Sequence, residues 1–398
     1  MREGNNFNSK LNRRKFLQGS GAGICLFYVS SLLGCAPGEE GEEKPELEKT
    51  EETVMEQKKG FVNPVRSPWF DELEQGKIRC QLCPRKCELS EGERAYCRVR
   101  ENREGEGYTL AYGNPALLQE DPIERKPFFH VLPGSRALSI STAGCNLECK
   151  FCEVWDMALE YPEKVYAHDV SPERVIEFAQ ESKLQSVSYA FGEPAIFYEY
   201  MEEVAELAKE AGLFNLLHTA GYINPEPLKK LLEKIDAVNL DLKGFDEEFY
   251  REVVGGELKP VLDTLKMIKE AGAHMEITNI LIPTLNDDME KIKEMCNWIV
   301  EELGTGVPLH FARFYPLYKL SELPRTPVST LEEARDTALK AGLDFVYIAR
   351  VTDHEGENTF CPGCGEKIIS RVGFVIEETH LEEGRCRHCG LEIPGRWN

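Results

Sequence analysis

The chain has 398 residues, 42% of them hydrophobic and 9% aromatic, enough apolar material for two or three packed domains, which excludes a wholly disordered chain, a coiled coil or a collagen. Lys and Arg number 47 against 69 Asp and Glu, a net charge of −22, and a surface of that sign argues against nucleic acid as a partner. Eleven of the fourteen cysteines fall into three tight groups whose short gaps suit thiolate metal sites better than the disulfide frameworks of small secreted domains.

Residues 1–35 carry five basic groups and one Glu, which leaves −26 on the remainder. Within them Asn12-Arg13-Arg14-Lys15-Phe16-Leu17-Gln18 precedes an uncharged stretch from Phe16 to Gly38 whose apolar core is Ile24–Leu33. That core is short for a bilayer span and suits a signal h-region. The arginine pair resembles the twin-arginine export signal, and Leu32-Leu33-Gly34-Cys35 resembles a bacterial lipobox. The resemblance implies a membrane-associated lipoprotein exported already folded, with Cys35 lipidated. Retention at the cytoplasmic face by an uncleaved apolar segment is the alternative. Next, Gly38–Lys59 holds nine Glu and four Lys without apolar periodicity, so 36–60 is expected to be a solvated, disordered tether.

Residues 61–135 are rich in turn formers and contain Cys80-x2-Cys83-x3-Cys87-x9-Cys97. Four ligands on one loop fit a structural zinc or an auxiliary iron–sulfur cluster, and spacing does not choose between them. Disulfides are the remaining alternative. Arg85, Lys86, Arg94, Arg98 and Arg100 are expected to offset thiolate charge.

From 136 to 352 short apolar segments alternate with amphipathic ones. Strands are expected at Ala137–Thr142, Ser186–Phe191, Phe214–Ala220, Ala237–Lys243, His274–Ile282, Pro308–Tyr315 and Asp344–Arg350. Helices are expected at Pro172–Ser182, Glu199–Ala211, Pro227–Ile235, Pro260–Ala271, Asp288–Leu303 and Thr330–Ala341, several stopping at Gly212, Gly272, Gly304 or Gly342. This alternation predicts parallel strands with crossover helices, a (β/α) barrel of six or seven units with its chemistry at the C-terminal ends of the strands.

The first of these strands runs through Ser141-Thr142-Ala143-Gly144 into Cys145-x3-Cys149-x2-Cys152. Three thiolates on a short loop can hold three irons of a 4Fe–4S cluster and leave the fourth open, although a zinc knuckle with a distant fourth ligand uses the same residues. This spacing after a strand, with Phe151 before the last Cys, resembles the signature of the radical S-adenosylmethionine (SAM) enzymes. The resemblance implies S-adenosyl-L-methionine bound at the open iron, one electron from a low-potential donor, and a 5′-deoxyadenosyl radical that abstracts hydrogen from a substrate. Phe191-Gly192-Glu193-Pro194 resembles that family's Gly-Gly-Glu-Pro, with Phe191 in place of the first Gly, and implies Gly192 and Glu193 as cofactor contacts. Asp241-Leu242-Lys243 resembles the Asp-Leu-Lys of glycyl-radical activating enzymes. Asp241 and Lys243 share one strand face, where they could meet the ammonium and carboxylate of a bound amino acid or pair with each other. His218-Thr219-Ala220-Gly221 stands where those enzymes read Asp-Thr-Asn-Gly, so their cation site is in question and His218 is either catalytic or a packing residue. Arg313 is expected on the same rim.

Residues 353–398 contain Cys361-x2-Cys364, twenty-one residues, then Cys386-x2-Cys389. Two such knuckles, each followed by Gly, fit a zinc-ribbon or rubredoxin-like domain, with structural zinc ahead of a single redox iron. Cys296, on an apolar-patterned helix, reads as an inert buried thiol. The ordered set of motifs, with Glu357-Asn358-Thr359 leading into the ribbon and Ile393-Pro394-Gly395-Arg396-Trp397 ending it, resembles the AmmeMemoRadiSam system radical SAM enzymes over about residues 75–398. These are related to the pyruvate formate-lyase activating enzymes. The fold implied is α/β, a partial (β/α)6-type radical SAM barrel flanked by the Cys-rich segment and the ribbon. The partners implied are Memo-like and AMMECR-type proteins, and no substrate is implied. Three functions follow: a radical enzyme on an unidentified substrate, an activating enzyme that makes a glycyl radical on a protein, or a non-enzymatic iron–sulfur electron-carrier lipoprotein.

Overall fold

The structure, a computed structural model, describes residues 57–397. The expected leader with Cys35, and residues 36–56 of the expected tether, lie outside the described residues. The end of that stretch is ordered, because Gln57–Lys59 pairs antiparallel with Tyr166–His168. All three residues are exposed, so a backbone ladder without apolar burial suffices there.

Eight strands form one sheet whose order follows the chain. The first, β1 (Leu117–Pro122), is antiparallel to β2 (Arg136–Ser141). Then β3 (Ser186–Tyr189), β4 (Phe214–Thr219), β5 (Ala237–Asp241), β6 (His274–Leu281), β7 (Leu309–Arg313) and β8 (Val346–Ala349) continue in parallel from β2. Six helices cross between them: α1 (Pro172–Glu181), α2 (Tyr198–Glu210), α3 (Pro225–Leu232), α4 (Leu258–Ala271), α5 (Met289–Glu302) and α6 (Val328–Lys340). Six β/α units and one further strand therefore stand where the sequence implies a partial barrel, and β1 and β8 remain as edges.

Local chemistry accounts for these boundaries. Ser171 Oγ accepts from Arg174 N at the start of α1, and Asp288 accepts from the amides of Glu290 and Lys291 at the start of α5. Gly212, Gly272, Gly304 and Gly342 take left-handed φ just past their helices. Alternate strand residues Leu138, Ile140, Val187, Leu217, Val238, Leu240 and Ile277 join the helices in the main core. The positions between them, Ser139, Ser141, Ser188, Asn239, Asp241 and Thr278, turn the other way and give the sheet a small, polar inner face.

Residues 61–110 fold as two three-stranded sheets that continue the same core through Ile78, Leu82, Leu89, Ala95, Val99 and Leu110. At the opposite end of the strands the C-terminal piece closes the floor. Arg396 N donates to His130 O, and Leu132 N to Arg396 O, each at 2.7 Å. Buried Glu276 accepts from Phe129 N, His130 N and His310 Nε2. Burial pulls His130 down to about 3, so its neutral ring donates from Nδ1 to Pro394 O and accepts at Nε2 from the Tyr347 hydroxyl, both at 2.6 Å. Arg371, also buried, donates to Thr359 Oγ1 and Phe129 O at 2.7 Å each and lies over the Phe129 ring. No helix among the described residues is long and apolar enough to cross a membrane.

Arg371, with His130, is a side chain that binds the C-terminal piece to this floor. Arg371→Met removes two buried donors from Phe129 O and Thr359, and is expected to lower unfolding free energy by about 3 kcal/mol. Urea denaturation followed by circular dichroism measures it; a change within about 0.5 kcal/mol, typical of an exposed site, would contradict the assignment.

Candidate functional site

The loop after β2 carries Cys145, Cys149 and Cys152, all half-buried and all free. It contains little secondary structure, so neighbouring elements satisfy its backbone. Glu148 N donates to Val254 O and Lys150 N to Val253 O, and Asn146 Nδ2 donates to Tyr222 O at 2.7 Å. Gly144 has φ +100°, and a Cβ there would stand 2.6 Å from Cys97 O, so only glycine lets the loop pass under the N-terminal segment. Leu147 N–H points at Cys145 Sγ, 3.4 Å away, as it would toward a thiolate.

Burial pushes all three thiols up, Cys149 to about 12, and their charges oppose one another, so these sulfurs need a cation to ionise together. Four sulfurs on one tetrahedral ion, each bound at ~2.3 Å, lie ~3.8 Å apart. Among the described residues only Cys361, Cys364, Cys386 and Cys389 converge in that way, all four within 4.8 Å of one another, with Cys361 Sγ to Cys389 Sγ at 3.5 Å and Cys364 Sγ to Cys386 Sγ at 3.8 Å. Among the described residues the three thiols after β2 do not form such a single-ion group, as expected of sulfurs that each bind a different iron of one cluster. The Glu193 carboxylate is the strongest charge acting on Cys145, ahead of the Cys149 and Cys152 thiols.

Glu193 lies in the turn after β3. Its side chain is buried and accepts from Thr219 Oγ1 at 2.6 Å, Ala220 N at 2.8 Å and Ala195 N at 3.2 Å. Burial raises its pKa and these donors hold it down in part. The preceding Gly192 donates its N–H to Ser141 Oγ, and a Cβ on Gly192 would meet that oxygen at 2.6 Å.

At the ends of β4 and β5, Asp241 accepts from His218 Nε2 at 3.0 Å and from Lys243 Nζ at 2.5 Å. Burial would raise the Asp241 carboxyl, but the Lys243 ammonium and the His218 ring outweigh it and hold the group well below the carboxylate range. Lys243 is raised above its ordinary value despite its burial, by Asp241 first and the Cys149 thiol next. Its ammonium stands 5.9 Å from the ring of Phe151, which is buried and stacked on Phe249. The structure therefore brings His218, Asp241, Lys243 and Cys149 together. Arg313 donates to Thr326 O at 2.8 Å and, among the described residues, makes no hydrogen bond or ion pair with that group.

The first cysteine group is free as well, with Cys80 and Cys97 buried and Cys83 and Cys87 half-buried. Of the five basic residues expected around it, Arg100 is buried and lowers the pKa of Cys80 and Cys97. Arg98 instead pairs with Glu148 at 2.8 Å, Arg94 with Glu101 and Glu163, and Arg85 donates to Asn146 O and Gly255 O. Among the described residues no ion pair or hydrogen bond joins Lys86 to the thiols; its contribution is a left-handed φ of 45° that turns the chain before Cys87. Local spacing cannot reveal that Arg85 and Arg98 reach across to the second cysteine loop. Sequence reasoning also misses the buried ion pair of Lys126 with Asp121 at 3.0 Å, which lies against Phe191. Burial pulls Lys126 down to about 8. The signal was the Phe in a Gly position: Phe191 takes φ +69°, where a bulky residue is strained, and its ring lies 5.2 Å from the cations of both Arg125 and Lys126.

Residues 139–297 match the family model of the radical SAM superfamily. The uncharacterized protein MJ0808 of Methanocaldococcus jannaschii is 41% identical over 327 residues, which cover 82% of this chain and 97% of that one. A second protein of that organism, MJ1632, provisionally named a glycyl-radical enzyme activating enzyme, is 31% identical over 43% of this chain and 68% of its own. The pyruvate formate-lyase-activating enzyme of Clostridium pasteurianum is 27% identical over 42% of this chain and 70% of its own.

Asp241→Asn leaves the buried Lys243 ammonium without its counter-ion and is expected to cost about 2 kcal/mol of stability at pH 7. Because the folded carboxyl is depressed, the wild-type advantage is complete above the unfolded value near ~4 and is lost as pH falls through the folded one. Denaturant titrations of both proteins from pH 7 to pH 3 test this; a gap that does not narrow below pH ~4 would show that the Asp241 charge is not its source.

Proposed function

The chain belongs to the radical SAM superfamily, and from that membership we propose that its residues act as a SAM-cleaving radical site on a substrate carrying both an ammonium and a carboxylate group. The observation that carries the reading is the half-buried thiol triad after β2, which does not form a single-ion group as the C-terminal four thiols do, with the Glu193 carboxylate the strongest charge acting on Cys145. When bound, a 4Fe–4S cluster and S-adenosyl-L-methionine supply one-electron cleavage of the sulfonium to methionine and a 5′-deoxyadenosyl radical. Cys145, Cys149 and Cys152 hold three irons. Gly192 lets the cofactor's backbone cradle lie close to β2, and Glu193, fixed by Thr219 and Ala220, keeps that cradle in one shape. Phe151, packed on Phe249, keeps water from the sulfurs. Lys243, paired with Asp241, places a positive charge beside Cys149, and a zwitterionic substrate that opens this pair would set its carboxylate on Lys243 and its ammonium on Asp241 and His218. Arg313 lines the rim at the end of β7.

Substrate as a protein segment, hence a glycyl-radical activating reaction, is the second reading. It is favoured by the apolar rim at the mouth, where exposed Trp155 stacks on Tyr318 at 5.2 Å beside exposed Tyr315 and Leu317. The names of the activating relatives agree with it. The electron-carrier expectation falls away, because the relatives indicate an enzyme. The C-terminal sulfurs, at single-ion spacing, support a structural zinc in a zinc-ribbon-like piece. We retain as proposals the AmmeMemoRadiSam system with its Memo-like and AMMECR-type partners, a low-potential electron donor, and membrane attachment through the twin-arginine and lipobox-like leader at Cys35 or through its uncleaved apolar segment.

Anaerobically purified protein, reduced in the presence of S-adenosyl-L-methionine, is expected to release methionine and 5′-deoxyadenosine. Cys149→Ala should abolish release. Cys389→Ala should lose zinc and thermal stability first, since binding of a structural metal is part of the folding free energy. Iron-replete wild-type protein that releases neither product would refute the reading.

A further inference from the structure

The four thiols of Cys80, Cys83, Cys87 and Cys97 stand apart from both sulfur sites assigned above, and three observations bear on what they hold. The first is spacing. Among the described residues the C-terminal four form a single-ion group and these four do not, an arrangement open to a cluster of several metal atoms. The second is the fold around them. Ile78, Leu82, Leu89, Ala95, Val99 and Leu110 already give this segment an apolar core continuous with the barrel, so a structural ion is not needed to fold it.

The third is position. A Cβ built on Gly144, the residue before Cys145, would stand 2.6 Å from Cys97 O, so the two backbones pass close to one another there. Arg85, two residues after Cys83, donates to Asn146 O between Cys145 and Cys149, and Arg98, next to Cys97, pairs with Glu148. Both cysteine loops also hang on one short barrel segment. Tyr222 O accepts from Asn146, and Asn224 donates to Gln81 O at 2.6 Å and Cys83 O at 3.1 Å. Buried Arg100 lies by Cys80 and Cys97 and is clamped by Glu199 at 2.7 Å and Ser67 Oγ at 2.7 Å, a fixed cation that offsets the negative charge of a four-thiolate site.

We propose that Cys80, Cys83, Cys87 and Cys97 hold a second iron–sulfur cluster that is the entry port for the electron used at the triad. A one-electron protein donor is oxidised and the second cluster is reduced at the half-buried Cys83 and Cys87 side. That electron then crosses the Cys97–Gly144 contact to the triad's cluster, and the second cluster returns to its oxidised state. The inference rests on the radical SAM reading of the triad.

The test is metal analysis and EPR of full-length protein purified without oxygen, as wild type, Cys149→Ala and Cys83→Ala. Wild type is expected to carry about eight iron and eight sulfide, and each variant about half. Dithionite-reduced wild type should show spectra broadened by interaction between two neighbouring reduced clusters, and the broadening should vanish in Cys149→Ala while a cluster signal persists. About four iron in wild type with zinc in the first group overturns the proposal, as does a wild-type spectrum that is the plain sum of two isolated clusters. If Cys83→Ala fails to fold, the wild type and Cys149→Ala decide. Two coupled clusters indifferent to S-adenosyl-L-methionine would count against the radical reading while leaving the second cluster in place.

Discussion

The structure turns on a close passage of backbone. The loop that carries Cys145, Cys149 and Cys152 has almost no regular hydrogen bonding of its own and is held from three sides: by the Cys97 carbonyl over Gly144, by Tyr222 O on Asn146, and by the carbonyls of Val253 and Val254. A loop can be rigid without a core only when other elements satisfy its polar groups. Because those elements are the N-terminal segment, the β4–α3 turn and the stretch before α4, the position of three sulfurs depends on residues from 97 to 254. The floor network around Glu276 and Arg371 does the same at the other end of the strands, where it ties the C-terminal piece to the barrel with buried polar contacts.

Charge is used differently in the three sulfur sites. The triad has Lys243 nearby, itself locked to Asp241, so a cation stands beside Cys149. The first group has the immobile Arg100. In the last group no side-chain cation is among the leading influences. There backbone N–H groups of Cys389 and His388 bring Cys386 down to about 7 against the effect of burial, and the left-handed glycines 365 and 390 provide the turns. The three sulfur groups thus draw on three different local devices in one chain.

Much of the fold was legible because it rests on periodicity. All seven parallel strands and six helices lie within about two or three residues of the expected spans, and the helix-stopping glycines adopt the left-handed conformation that their positions suggest. What was not legible is what depends on tertiary contact. β1 has no apolar alternation and ends at Pro122, tolerable only because it is an edge strand whose ladder is supplied by β2. In the site, the pairing of Asp241 with Lys243 follows from their two-residue spacing, but the second partner, His218, comes from the neighbouring strand. The reach of Arg85 and Arg98 to the second cysteine loop, and the cations beneath Phe191, depend on chain segments tens of residues apart that no local pattern connects.

The central claim is that one corner of the triad's cluster is left to S-adenosyl-L-methionine. Electron–nuclear double resonance on the reduced protein, with the cofactor labelled at its amino nitrogen with 15N and at its carboxylate with 17O, addresses that corner directly. Hyperfine coupling of both labels to the cluster, lost in Cys149→Ala, is the predicted result. A cluster signal that persists with no coupling to either label would contradict the account.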